Sequence, residues 1–202
     1  MAALIKAAAA VSFPAEIAVV ISNRADAAGL EKARAAGVKT VVVESKPFGG
    51  DRAGFETALQ VVLDQHRVEL ICLGGFMRLF TAEFVQRWYG RMLNVHPSLL
   101  PSFPGLDPHG QALRAGVKIS GATVHFVIPR TDAGPILMQG AVSVSDHDSA
   151  ATLSERILEV EHRIYPDALR LLAGGEVRLE GDICKTTAGA ASGNFLISPV
   201  IG

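Results

Sequence analysis

Three side chains in this 202-residue chain have the types and spacing to handle an acyl group: Asn94, His96 and Asp132. Asn94 and His96 stand two apart in an apolar run, so in an extended strand both would point to one face. An imidazole titrates near neutrality and suits proton transfer. An asparagine amide can donate a hydrogen bond to a carbonyl oxygen that gains charge during attack. A carboxylate beside the imidazole would hold its orientation and balance its charge. The same residues have a plainer reading. An Asn-x-His at a strand end can be a hydrogen-bonded turn, and Asp132-Ala133-Gly134 has the composition of one. Type and spacing leave both readings open.

The elements around the three residues decide whether they can meet. Residues 16–22 form an apolar, β-branched run, and a helical pattern at 27–36 is stopped by Gly37 before a second strand at 39–43. Asp51 is placed to cap a helix reaching His66, with Phe55, Leu59, Val62 and Leu63 at helical spacing. A third strand at 69–73, a short helix at 81–88 and a fourth strand at 91–95 follow, and the last runs straight into His96. This rhythm indicates an α/β fold, a Rossmann-like and mostly parallel sheet flanked by helices. Ligands bind such sheets beyond the carboxyl ends of the strands, where His96 would stand.

The later half differs. Strands at 119–128 and 136–144, joined by a turn around Asp132, predict a mixed or antiparallel C-terminal part. A long helix at 150–172 ends at Gly174-Gly175, and short strands are expected at 177–179 and 183–185. Residues 1–185 read as one domain and 186–202, rich in Ala, Gly and Ser, as a flexible C-terminal extension.

Nineteen basic residues face twenty acidic ones, so there is no basic surplus of the kind that displaces counterions from nucleic acid. Cys72, in an apolar run, reads as a small buried thiol, and neither it nor Cys184 has metal-ligand spacing. A reducing cytoplasm is the simplest setting. Lys6 interrupts the apolar N-terminal stretch, which argues against a signal peptide, and no apolar run reaches the length of a membrane span.

Longer motifs add to this. Residues 74–79 (GGFMRL), residues 93–103 (LNVHPSLLPSF), residues 121–127 (GATVHFV) leading to Thr131-Asp132-Ala133-Gly134, and residues 161–166 (EHRIYP) occur in this order at suitable intervals. Together they resemble the signatures of the folate-dependent formyltransferases, most of all those that act on glycinamide ribonucleotide, over roughly residues 1–185. The resemblance implies the formyltransferase fold and transfer of a formyl group from 10-formyltetrahydrofolate, as co-substrate, to the amine of glycinamide ribonucleotide in purine biosynthesis, with no metal. It implies His96 as the proton-transfer residue, Asn94 as the group binding the formyl oxygen and Asp132 as the support of His96. It places Arg52, Met77, Arg78, Leu79, Phe80, Asn94 and Ile128 on the folate, with residues 128–132 as the second wall of that pocket. Gly75, Pro97 and Glu161 fall on the acceptor side. For Arg52 a solvated charge on a helix face stays equally open. His125 and His162 read as structural. Partners would be small molecules, with no nucleic acid or membrane, and the assembly a monomer or homodimer.

The family normally opens with a strand and a glycine-rich turn ending Gly-Ser-Asn, whose amides cradle the acceptor phosphate. Here Met1-Ala2-Ala3-Leu4-Ile5 looks like the start of the helix after that turn. The expectation is that Met1 is an internal methionine of a longer protein, because losing a central strand would leave two strands without a partner. The alternatives are a truncated folate-binding remnant with little activity, or hydrolysis as in formyltetrahydrofolate deformylase.

Overall fold

The computed structural model describes residues 1–187. Its elements are α1 (Ala2–Ala8), β1 (Val20–Ser22), α2 (Ala28–Ala35), β2 (Thr40–Val42), α3 (Arg52–Gln65), β3 (Ile71–Leu73), α4 (Ala82–Arg87) and β4 (Met92–His96). There follow α5 (Pro108–Ala115), β5 (Ile119–Phe126), β6 (Ile136–Ser143), α6 (Ala150–Ala173), β7 (Val177–Glu180) and β8 (Ile183–Thr186). The α/β class is as expected. Strand β8 runs through Thr186, and the rest of the expected extension, residues 188–202, lies outside the described residues.

Most elements start where their caps dictate. The Asp51 carboxylate accepts from the Gly54 amide and Thr81 from the Phe84 amide, while Ser149 and Thr152 form a reciprocal box at the start of α6. Helix α5 is not among the elements expected from the sequence. It starts at Asp107, whose side chain accepts from the Gly110 amide, with Pro108 in the first turn and Gly116 in the left-handed conformation after its end.

Strands β1 and β2 pair in parallel, and β3, β4, β5 and β6 form a second sheet in that order. In that sheet β3–β4 is parallel, whereas β4–β5 and β5–β6 are antiparallel. Among the described residues no ladder joins the two sheets, so β1 and β3 each have a sheet neighbour on one side only.

Alternation along the strands divides the interior in two. Cys72, Leu93 and Val95 face a core closed by α1 and α6, with Ala122, Val124 and Phe126 of β5 and Leu153 and Ile157 of α6. Ile71, Leu73 and Met92 face the other way, onto Phe55, Leu59, Phe84 and Trp88 of α3 and the α4 region. Each large apolar side chain so buried contributes about 1.5–3 kcal/mol. Strand β5 lies between two partners and is buried over seven of its eight residues. Such a strand holds whatever hangs from its ends with little play.

Candidate active site

The pairing of β4 with β5 sets the site. Asn94 lies opposite His125 and His96 opposite Thr123, so all four occupy one face of the sheet. The β5–β6 register shifts between Val124 and His125, a bulge at the point where the strand leaves the ladder toward Asp132. Asp132 sits in the left-handed region with φ 50°, which an aspartate tolerates better than most residues. Gly134 closes the turn, because a Cβ there would stand 1.9 Å from the Phe126 carbonyl oxygen.

His96 is held at both nitrogens. Its Nδ1 lies 3.4 Å from Asp132 Oδ2, and its Nε2 lies 2.9 Å from the carbonyl oxygen of Phe103. The Gly105 amide donates to the same Asp132 oxygen at 2.8 Å. Both of His96's partners are acceptors, an arrangement that suits an imidazolium, which donates from both nitrogens. The His96 and Asp132 side chains are only 7% and 9% exposed, so water screens the pair poorly.

The loop that brings Phe103 to His96 is tied to the sheet through Thr123. Its hydroxyl donates to the Ser98 carbonyl and accepts from the Leu100 amide and from Gln139 Nε2. Gln139 also donates to the Leu100 carbonyl. Phe103 adopts φ 56°, so the loop, like Asp132, carries local backbone strain beside the histidine.

His125 joins the remaining members. Its Nδ1 lies 3.0 Å from the Phe126 carbonyl and therefore carries the hydrogen, leaving the Nε2 lone pair to accept from Asn94 Nδ2 at 3.3 Å. Burial lowers the His125 pKa, opposed by the Phe126 carbonyl and the Asp132 charge, which agrees with a neutral ring. Asp132 Oδ1 is 3.7 Å from His125 Nε2. With one N–H of its amide committed to His125, Asn94 keeps the other for a ligand.

Two clefts adjoin this group. Arg78, Leu79, Phe80, Asn94, Ile128 and Asp132 line the first, with His125 and residues 129–131 also in its wall. Gly74, Gly75, Val95, Glu161, His162 and Tyr165 line the second, beside Met1 and Leu158. Asn94 and Val95 are successive residues of one strand, so the clefts lie on opposite faces of the β3–β4 pair. In the second, burial raises the Glu161 carboxyl above its ordinary value. Tyr165 Oη approaches the Leu73 and Leu93 carbonyls at 2.8 and 3.1 Å, tying α6 to both strands. Burial keeps its phenol protonated and pushes the neighbouring Cys72 thiol up to about 11, so that cysteine is no nucleophile at neutral pH.

The structure thus brings Asn94, His96 and Asp132 together, with His125 as the link between Asn94 and Asp132. His125, expected from the sequence to be structural, is the residue through which Asn94 and Asp132 are joined. No signal in its sequence position marks it, because its partner Asn94 lies on a neighbouring strand. Of the residues expected on the folate, Arg78, Leu79, Phe80, Asn94 and Ile128 line the first cleft. Met77 is 77% exposed and Arg52 is exposed at the start of α3, and neither is in that lining. Gly75 and Glu161 line the second cleft and Pro97 does not. Among the described residues no cluster of three or more His, Cys, Asp or Glu could hold a metal, and no helix is long and apolar enough to cross a membrane.

Comparison with known proteins shows the family. Residues 1–169 match the family model described as formyl transferase. The human trifunctional purine biosynthetic protein adenosine-3 is 50% identical over 172 residues, 84% of this chain and 17% of that protein. The chain therefore spans less than a fifth of the length of that relative. The phosphoribosylglycinamide formyltransferase of Bacillus subtilis is 40% identical over 163 residues, covering 81% of this chain and 83% of its own. A crystal structure of glycinamide ribonucleotide transformylase 1 from Symbiobacterium toebii superposes with a TM-score of 0.88 at 45% identity, over 92% of this chain and 87% of that one. On the family match and these relatives, the chain belongs to the formyl transferase family, among the phosphoribosylglycinamide formyltransferases.

Proposed function

We propose that this chain transfers the formyl group of 10-formyltetrahydrofolate to the amine of glycinamide ribonucleotide, a step of purine synthesis. The observation that carries the reading is His96, clamped between Asp132 and the Phe103 carbonyl on the same strand face as Asn94. The amine attacks the formyl carbon and a tetrahedral intermediate forms. The free N–H of the Asn94 amide and the imidazolium of His96 stabilise its oxyanion, in a site where the screening by water is weak. His96 then helps move a proton to the departing folate nitrogen, and Asp132 holds the ring in place throughout. For the imidazolium to reach the reacting atoms, its Nε2–H must exchange the Phe103 carbonyl for the substrate. The first cleft, with Arg78, Leu79, Phe80 and Ile128, suits the flat ring of the folate, and the second, with Glu161 and His162, suits a polar acceptor.

The test is formyl transfer by the purified chain, with tetrahydrofolate and formylated acceptor both measured, in the presence and absence of glycinamide ribonucleotide. Transfer that needs the acceptor supports the reading. Formate release without it would instead indicate hydrolysis, the activity named for a formyltetrahydrofolate deformylase from Burkholderia mallei that is 29% identical with a TM-score of 0.76. His96→Ala should abolish transfer while leaving tetrahydrofolate affinity within about threefold, an effect below 1 kcal/mol. Near-full activity in that variant would remove His96 from the mechanism.

A further inference from the structure

One buried charge takes no part in the chemistry above. Glu56, on α3, is 5% exposed within the apolar cluster that includes Phe55, Leu59 and Phe84. A carboxylate so placed costs free energy unless it is fully hydrogen-bonded. Both of its oxygens are engaged, and by the same residue. Oε1 accepts the Thr81 backbone N–H at 2.6 Å, and Oε2 accepts the Thr81 hydroxyl at 2.5 Å. The Thr81 oxygen in turn caps α4 by accepting from the Phe84 amide at 3.2 Å.

The chain that Thr81 terminates is residues 74–80, the connection from β3 to α4. Among the described residues, no backbone N–H of this connection bonds to a backbone carbonyl outside it. It is held by ring contacts, with Phe76 stacked on Phe80 at 4.9 Å, Phe80 on Phe84 at 4.7 Å and the Arg78 guanidinium 5.3 Å over Phe55. Ring contacts tolerate sliding, whereas a two-point hydrogen bond to a buried carboxylate fixes position. Its two ends serve different clefts. Arg78, Leu79 and Phe80, within three residues of Thr81, line the first cleft. Gly74 and Gly75, continuous with β3, line the second.

We infer that Glu56 is a positioning residue for the first cleft: its carboxylate pins Thr81 and so sets the wall formed by Arg78, Leu79 and Phe80. The inference rests on the proposed formyl transfer, in which that cleft holds the folate. It requires an asymmetric effect. Loosening the pin disturbs the end of the connection beside Thr81 and leaves the end anchored in β3 alone.

The experiment compares Glu56→Gln, Glu56→Ala and Thr81→Ser with the unaltered chain, in steady-state kinetics for both substrates and in calorimetric titration with tetrahydrofolate. Thr81→Ser keeps both bonds and should match the unaltered chain. Glu56→Gln keeps the acceptor for the Thr81 amide but loses the charge, and should raise KM for the formyl folate and Kd for tetrahydrofolate about tenfold, the effect of losing one charge-assisted hydrogen bond. Glu56→Ala should raise both further. In each variant KM for the acceptor and kcat at saturation should stay within about twofold. Unchanged folate KM and Kd in Glu56→Gln and Glu56→Ala would overturn the inference. So would equal rises for both substrates, because a merely structural role predicts that result. If the unaltered chain itself fails to bind tetrahydrofolate, the functional reading falls and takes the inference with it.

Discussion

Thr123→Val tests the tie between β5 and the histidine loop without changing the shape of the core. Thr123, Ser98 and Leu100 are 0%, 0% and 4% exposed, so water cannot replace a lost partner there. Valine removes a donor to the Ser98 carbonyl, bonded at 2.7 Å, and an acceptor for the Leu100 amide, bonded at 3.0 Å. Each stranded backbone group costs about 1–3 kcal/mol. Gln139 also loses a partner, but it is exposed to water and keeps its bond to the Leu100 carbonyl, so its share is small. The extra buried carbon returns about 1 kcal/mol. The net loss is roughly 3 kcal/mol, or about 6–12 °C in Tm for a chain of this size. Urea unfolding followed by the fluorescence of the single tryptophan, Trp88, buried at 3% exposure, reads it directly. Thr123→Ser is the control, since it keeps all three bonds and loses only a methyl group, about 1 kcal/mol. A Thr123→Val variant no less stable than Thr123→Ser, with an unchanged denaturant slope, would refute the account of Thr123 as the anchor of the loop.

Two further outcomes follow from the site's surroundings. Gly121→Ala places a Cβ 2.0 Å from the Gly140 carbonyl oxygen and 2.9 Å from Ala141 Cα, atoms of the facing backbone that cannot swing aside. The loss should reach about 3 kcal/mol or more, and a Tm within about 2 °C of the unaltered chain would contradict the tight β5–β6 approach. His125 supplies a pH dependence. Its folded pKa lies below the ordinary 6.5 because of burial, so the unfolded chain binds its proton first, and stability falls as pH drops from about 6.5 toward the folded value. The His125→Gln variant should lose part of that decline in urea midpoints measured across about pH 7.5–5, with His109, which is shifted the same way, contributing to what remains. An identical decline in the variant would mean that the His125 ring is not kept neutral by the fold.

The alternating pattern and the caps were readable in the residues, because each depends on neighbours in sequence. Asp51, Thr81 and the Gly174-Gly175 pair mark ends that the structure keeps within a residue or so. Strands β1, β2, β3, β5 and β6 are shorter than their apolar runs, as with β1, which covers Val20–Ser22 of a run beginning near Glu16. Apolarity records burial, while a strand also needs a paired neighbour. Helix α5 carries its start and stop in Asp107, Pro108 and Gly116, but it follows an irregular loop rather than a strand and so breaks the strand–helix rhythm that marks the others. The site was legible as three separated residues, yet the contacts that make it work were not. The Phe103 carbonyl on His96 is a backbone group, invisible to any reading of side-chain types. His125 and Glu56 become informative only once the fold brings Asn94 and Thr81 to them.

The clefts on opposite faces of β3 and β4 have a kinetic consequence. Between them stands a single layer of backbone, with Asn94 on one side and Val95 on the other. Under the proposed reading, the formyl folate and its acceptor would lie on opposite faces of these strands and approach each other past the strand ends, where His96 sits. With the two clefts on opposite faces, the proposed reading predicts that either substrate can bind first, a filled cleft on one side leaving the other free.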